Sequence, residues 1–316
     1  MNDLTVVTAT TAGFTHWTLH LLRNLRFLGL HRRLTVCAFD EESIAFASAH
    51  NLSIHSTLPG AADASKLATA VSSIKGSSKY RRVFKSTGWF SAVHLKQECV
   101  WNVMMRSPHN SVTLLIDGDV SLFRDPILAL SRASGPQLPD LMFLNDETPS
   151  AGEAYMNSGF MVMRNTYRSR TFGKVYLDEL RRRRGANDQG VLNDCLGIGE
   201  GSKGAERHRA LNTSGGLAIH VLNSREFMNG FFFYEYRDQR PLNASSLVAV
   251  HHNWIRGDRN KWNRAVAYDT ILQSDGEKFA HFRRRARRSM RNMEAWKYRN
   301  KSHAGNEFCG QSGPGC

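Results

Sequence analysis

Short apolar runs alternate with amphipathic stretches along the first half of the chain. Residues 4–10, Leu-Thr-Val-Val-Thr-Ala-Thr, are dense in β-branched side chains and read as a strand. Residues 15–28 place Leu19, Leu22, Leu25 and Leu28 near one face of a helix, and residues 34–39 form a second strand-like run. That order predicts a β-α-β opening, continued by a helix over residues 44–50 and a short strand over residues 52–56. Residues 60–78, rich in Ala, Ser and Lys, read as a loop or loose helix over a site, and residues 92–105 as a solid helix. Pro126 suits the first position of a short helix ending near Arg132. Residues 141–144 and 159–163 supply two more strands, and residues 196–216 are irregular and polar. The pattern predicts an α/β fold with a decorated second half and no internal repeat.

One apolar run ends in chemistry. Leu114-Leu115-Ile116-Asp117-Gly118-Asp119-Val120 presents two carboxylates at a strand tip, where Mg²⁺ or Mn²⁺ can bind while keeping positions for phosphate oxygens. An acidic turn at a strand end that binds nothing is the plainer alternative. Asp40-Glu41-Glu42-Ser43 follows the second strand at another such ligand-facing position. Met156-Asn157-Ser158-Gly159-Phe160 precedes an apolar strand, so Asn157 and Ser158 are placed to meet a polyhydroxylated ligand and Gly159 allows close backbone approach. Asn187-Asp188-Gln189 opens a short helix, where Asp188 either contacts ligand or simply caps the helix. His251-His252-Asn253-Trp254 follows the apolar residues 247–250, with Gly257 and Lys261 shortly after, a set suited to imidazole on a metal and ammonium on a diphosphate. The aromatic residues 227–236 read as core or sheet edge.

Charge changes the picture at one end. The net charge is +14, and residues 283–301 hold nine Lys or Arg against one Glu, so the rest of the chain is only mildly basic. That segment is a solvated helix face suited to an anionic surface; specific nucleic-acid binding is not expected, because no recognisable module or interleaved aromatics accompany it. The division expected is a catalytic domain over residues 1–270 and a basic helix with a Gly/Cys tail over residues 271–316. No apolar run approaches the roughly 18–20 residues of a membrane span, and no signal peptide or anchor is read at the start, although loss of an upstream anchor would leave the same beginning. Cys37, Cys99, Cys195, Cys309 and Cys316 contain no C-x-x-C pair, which argues against a zinc knuckle; Cys309 and Cys316 could close a small loop in an oxidising compartment. Sequons at Asn51, Asn212, Asn243 and Asn300 would suit a secretory lumen.

In order, these segments resemble the nucleotide-diphospho-sugar transferases of the GT-A fold, and among them glycosyltransferase family 77. The resemblance rests on Val6-Val7-Thr8 with Asp40, Asp117-Gly118-Asp119 with Phe123-Arg124-Asp125-Pro126, Asn157-Ser158-Gly159-Phe160, Asp188-Gln189 with Asn193, Phe227-Met228-Asn229-Gly230, and His251-x-Asn253 with Gly257 and Lys261. It implies a Rossmann-like mixed sheet flanked by helices. It also implies retaining transfer of arabinose, xylose or galactose from a UDP-sugar to a glycan or glycoprotein acceptor. Mn²⁺ or Mg²⁺ would sit on Asp117, Asp119 and His251. Lys261 and the Gly257 backbone would hold the diphosphate, Thr8, Thr10 and Asp40 would line the nucleoside pocket, and Asp146, Asn157, Asp188 and Gln189 would surround the sugar. Front-face attack needs no protein base; in the covalent alternative Asp188 is the carboxylate to test as nucleophile. The family's acidic motif commonly has another central residue and an aromatic two places later, where this chain has Asp-Gly-Asp-Val-Ser. The resemblance further implies the Golgi if an anchor has been lost, and otherwise the cytoplasm.

Two other functions stand beside this one. Asp117-x-Asp119-Val120-Ser121 also looks like the opening motif of haloacid dehalogenase-type phosphatases, although more than a hundred residues precede it. A non-catalytic nucleotide- or glycan-binding relative would keep the fold without turnover.

Overall fold

A computed structural model describes residues 3–56, 87–134, 138–146, 155–198, 216–235 and 246–253. The expected domain boundary, Gly257, Lys261, the basic segment, the Cys309–Cys316 pair, the sequons at Asn212, Asn243 and Asn300, the loop over residues 60–78 and most of 196–216 lie outside the described residues. Among the described residues no helix is long and apolar enough to cross a membrane.

The chain opens β1 (Leu4–Thr10), α1 (Thr15–Phe27), β2 (Leu34–Ala38), α2 (Glu41–Ala49) and β3 (Ser53–Ser56), the β-α-β start that the apolar periodicity predicts. Then come α3 (Thr87–Arg106), β4 (Val112–Ile116), β5 (Val120–Leu122), α4 (Pro126–Ser134), β6 (Leu141–Asn145) and β7 (Met156–Arg164). The described chain closes with α5 (Tyr167–Arg182), α6 (Asp188–Leu196), β8 (Ile219–Val221), β9 (Phe227–Asn229), α7 (Gly230–Glu235) and β10 (Ala249–His251).

Seven strands form one sheet in the order β3-β2-β1-β4-β7-β6-β8, and a smaller sheet has the order β5-β10-β9. β1 runs parallel to β2 and β4, while β7 runs antiparallel to β4 and β6. The carboxyl ends of β1, β2, β4 and β6 and the amino end of β7 therefore share one edge. This is the expected mixed sheet of the GT-A fold, and its edge collects Thr10, Asp40, Asp117, Asp146 and Asn157.

Strand alternation builds two apolar layers. Val6, Leu114, Ile116, Met142, Phe160 and Val162 pack on one face with Leu21, Leu22 and Leu25 of α1. Val7, Leu115, Phe143, Met161 and Met163 pack on the other with α3, α5 and α6. On that second face Trp101, Phe172 and Tyr176 lie with ring centroids 5.8–6.2 Å apart, and a Cβ at Gly173 would stand 2.4 Å from the Trp101 ring, so only glycine lets α5 approach α3 this closely. A disulfide joins Cys37 of β2 to Cys99 of α3, a pairing the cysteine spacing does not suggest.

Several boundaries move for local reasons. α2 starts at Glu41, three residues before the expected start, because Asp40 and Ser43 form a reciprocal capping box. Asn187, not Asp188, caps α6, its side chain accepting from the Gln189 and Gly190 amides. β7 begins at Met156, so Asn157 and Ser158 are strand residues rather than a preceding turn. The run after Ile116 breaks at the acidic turn, and Val120 starts a strand of the second sheet. Phe227 is fully buried, as its reading as core requires.

Candidate active site

Asp117 and Asp119 flank a tight turn closed by the Val120 amide donating to the Asp117 carbonyl at 3.1 Å. Gly118 is required there by packing, because a Cβ would stand 2.9 Å from Trp17 Cβ. β10 pairs antiparallel with β5, setting His251 opposite Val120, and the His252 amide donates to the Asp119 carbonyl at 2.9 Å. Tertiary structure thereby brings one ligand atom each from Asp117, Asp119 and His251 within 4.8 Å of one another.

The proton positions at His251 follow from its neighbours. The Gly159 amide donates to Asn157 Oδ1 at 2.8 Å, which fixes that atom as an acceptor. His251 Nδ1, 3.0 Å from the same oxygen, is then the donor, and Nε2 faces Asp119 Oδ1 at 3.2 Å. An imidazole held this way through its far nitrogen is the usual support for a metal ligand. Burial by itself would lower the His251 pKa, but hydrogen-bonded Asp119, with Asp117 and Asp146, more than offsets it and raises it. Two carboxylates and one oriented imidazole fit a hard or borderline divalent cation such as Mg²⁺ or Mn²⁺.

Lys96 is the residue that sequence reasoning missed. Its ammonium lies 3.2 Å from both carboxylate oxygens of Asp117 and 3.6 Å from Asp188 Oδ2, with little exposure. Burial alone would lower its pKa; Asp117 and Asp188 raise it instead, so the lysine is a held cation. The next residue, Gln97, is fully buried and donates to Asp188 Oδ2 at 2.9 Å and to the Ser158 carbonyl at 3.1 Å. The available signal was a Lys-Gln pair one helical turn before Val100 and Trp101, both wholly buried.

Gln189 accepts from Asn157 Nδ2 at 3.3 Å and the Ser158 amide at 3.2 Å, and donates to Asp146 Oδ2 at 2.8 Å. The other Asp146 oxygen accepts from Asn253 Nδ2, whose Oδ1 receives the Gly230 amide at 2.9 Å. Asp146, Asn157, Asp188 and Gln189 thus form one network with Asp117, Asp119 and His251, the candidate metal ligands. The Asn157 side-chain oxygen is engaged behind His251. Asp188 is 3% exposed, and its backbone carbonyl accepts from the Tyr176 hydroxyl at 3.1 Å.

At the far end of this edge, Asp40 accepts from the Ala12 amide at 2.8 Å as well as capping α2, tying β2 to the end of β1. Thr8 is fully buried, with no hydrogen-bond partner for its hydroxyl among the described residues, and the Thr10 hydroxyl donates to the Thr11 carbonyl at 3.3 Å.

Residues 29–265, which include the acidic turn, the Asp188 helix and His251, match the family model of nucleotide-diphospho-sugar transferases. The chain belongs to that family. As a nucleotide-diphospho-sugar transferase it is a glycosyltransferase enzyme, and its donor is a nucleotide sugar. Solved structures similar to this transferase include the galactosyltransferase LgtC in complex with donor and acceptor sugar analogues, at 14% identity and a TM-score of 0.48 over 88% of this chain and 99% of that one. The apo glycosyltransferase GlyE of Streptococcus pneumoniae TIGR4 is similar at 13% identity and a TM-score of 0.49, covering 88% of this chain; this chain spans 63% of GlyE. A glycosyltransferase involved in glycosylation of the major capsid of PBCV-1 is similar at 11% identity and a TM-score of 0.43, over 83% and 98% of the two chains. No curated protein matches the transferase.

Proposed function

We propose that this nucleotide-diphospho-sugar transferase is a metal-dependent, retaining enzyme that moves arabinose, xylose or galactose from a UDP-sugar to a glycan or glycoprotein acceptor. The observation that carries this reading is the meeting of Asp117, Asp119 and His251 at the ligand-binding edge of the sheet. Mn²⁺ or Mg²⁺ bound there would supply positive charge to the departing diphosphate. Gly257 and Lys261 hold the diphosphate in this reading, and Thr8, Thr10 and Asp40 belong to the nucleoside side.

The engagement of Asp188 supports front-face attack. Its Oδ2 is held by Gln97 and Lys96 and the residue is 3% exposed, so the carboxylate is fixed in place and its charge partly neutralised by the lysine, which lowers its nucleophilicity. Asp188 and Gln189 therefore shape and orient the donor sugar, and an oxygen of the leaving diphosphate takes the acceptor proton. The phosphatase alternative gains nothing from the structure, since Asp117 follows β4 rather than the first strand and both its oxygens face Lys96. The buried Cys37–Cys99 disulfide supports an oxidising compartment such as the Golgi lumen, and the basic segment over residues 283–301 is proposed as an anionic-surface contact.

The test is UDP release from a panel of UDP-sugars with Mn²⁺, with and without EDTA, comparing wild type with Asp119→Ala. Release from one donor that EDTA and the substitution both abolish is expected, and it names the sugar. UDP binding without release on any donor, with any acceptor glycan, would instead make the chain a binding relative.

A further inference from the structure

We propose that Ser121 is a positioning residue whose hydroxyl ties both metal-bearing segments to α1; this rests on the metal-site reading above. Ser121 lies two residues after Asp119 and is 2% exposed. Its Oγ is 3.0 Å from Nε2 of His20 on α1 and 2.8 Å from Nε2 of His252, the residue after His251. Both imidazoles are buried, His20 at 1% and His252 at 0% exposure. A single hydroxyl thus touches the stretch carrying Asp119, the stretch carrying His251, and the helix beneath them.

The proton assignment closes. Asn24 Nδ2 lies 3.5 Å from His20 Nε2 and can only donate, so that nitrogen is an acceptor. Ser121 then donates to His20 Nε2 and accepts from the Nε2–H of His252. Asn24 strengthens the same junction: its Nδ2 donates to the His20 carbonyl at 2.8 Å, and its Oδ1 accepts the Leu122 amide at 2.9 Å. Trp17, one turn earlier on α1, packs under Gly118.

α1 therefore grips the acidic turn at Gly118, β5 at Leu122, and through Ser121 the adjacent β5 and β10 ends of the smaller sheet. The antiparallel register beside Asp119 and His251 is short, three residue pairs long and extended by the His252 amide bond to the Asp119 carbonyl, and Ser121 adds a side-chain tie across the same pair of strands. Supporting groups of this kind act through ligand orientation, and their loss commonly costs about 10–100-fold in metal affinity.

The experiment is direct Mn²⁺ binding to the full chain, read from the free-ion electron paramagnetic resonance signal, beside thermal melting. Ser121→Ala removes the hydroxyl without adding volume and is expected to weaken Mn²⁺ binding by about 10–100-fold. Ser121→Thr keeps the hydroxyl while crowding a buried site, and is expected to bind within about threefold of wild type even where its melting temperature falls. His20→Phe keeps a ring but removes its nitrogens, and should weaken Mn²⁺ in the same direction; it serves if Ser121→Ala does not fold. Unchanged affinity in Ser121→Ala, or equal loss in Ser121→Ala and Ser121→Thr, overturns the proposal. Absence of Mn²⁺ binding in the wild type overturns the metal-site reading itself, a different failure from a wild type that binds and an alanine variant that binds equally.

Discussion

Gly159 sits directly against Asp117 and His251, two of the proposed metal ligands. A Cβ added there would stand 2.3 Å from Asp117 Oδ2, 2.7 Å from Asp117 Cγ and 2.7 Å from His251 Cε1. Ordinary contact needs about 3.5 Å, so Gly159→Ala forces the carboxylate and the imidazole to retreat by about 1 Å. Metal–ligand distances tolerate only about 0.2 Å, and a 1 Å misplacement at a reacting centre costs on the order of 100-fold. The expected result is therefore a loss of Mn²⁺ affinity of about 100-fold or more, equivalent to about 2.7 kcal/mol, with a folding cost of about 1–3 kcal/mol from overpacking. Gly173→Ala is the matched control. Its methyl would stand 2.4 Å from Trp101 Cε3, within the second apolar layer, so it should destabilise comparably while leaving Mn²⁺ affinity in place. Isothermal titration with Mn²⁺ and thermal melting of both variants give the comparison. Gly159→Ala binding Mn²⁺ within threefold of wild type, or Gly173→Ala losing as much affinity, would refute the reasoning.

Lys96→Met leaves Asp117 and Asp188 without their buried cation; removing one partner of a buried pair costs about 3–5 kcal/mol, and Mn²⁺ should raise the melting temperature of this variant more than that of wild type. Asp140 is fully buried; desolvation works against its charged form, but the Ala218 amide, the Thr166 hydroxyl and Arg168 outweigh it and lower the pKa. Its stabilisation is therefore complete above an unfolded carboxyl value of about 3.9 and is lost as pH falls through the lower folded value, so melting curves of wild type and Asp140→Asn should converge below pH ~4 and stay apart above it. Parallel curves across pH 2–7 would contradict this. Replacing Cys37 and Cys99 together by serine opens a link spanning 62 residues, worth about 4 kcal/mol by loop entropy, and chemical denaturation should show a loss of that order.

The local part of this molecule was legible because strands and helices announce themselves by period. The opening β-α-β, the apolar strand before Asp117 and the strands near residues 141–144, 159–163 and 247–250 follow from apolar and β-branched runs, whereas β5 and β8, three residues each, are too short to stand out by period. Element ends were less legible where a side chain decides them, as at Asp40 with Ser43 and at Asn187, since a cap and a ligand contact use the same residue types. Of the four leucines that the period places near one face of α1, Leu22 and Leu25 are buried and Leu19 and Leu28 partly buried against the same core; Trp17, His20, Leu21 and Asn24 are buried as well, because that helix also packs against the base of the acidic turn.

What the sequence determined by itself was the set of chemical groups and the elements that carry them: Asp117, Asp119, His251, Asp188 and Gln189 are all readable as candidates. What only tertiary structure decided was their company. Lys96 and Gln97 lie on a helix some twenty residues before the acidic turn, His20 about a hundred residues before it, and Cys37 pairs with Cys99 rather than with a neighbour. No local period encodes such pairings, because they arise from strand order and register, and the parallel and antiparallel pairs of this sheet join segments far apart in the chain.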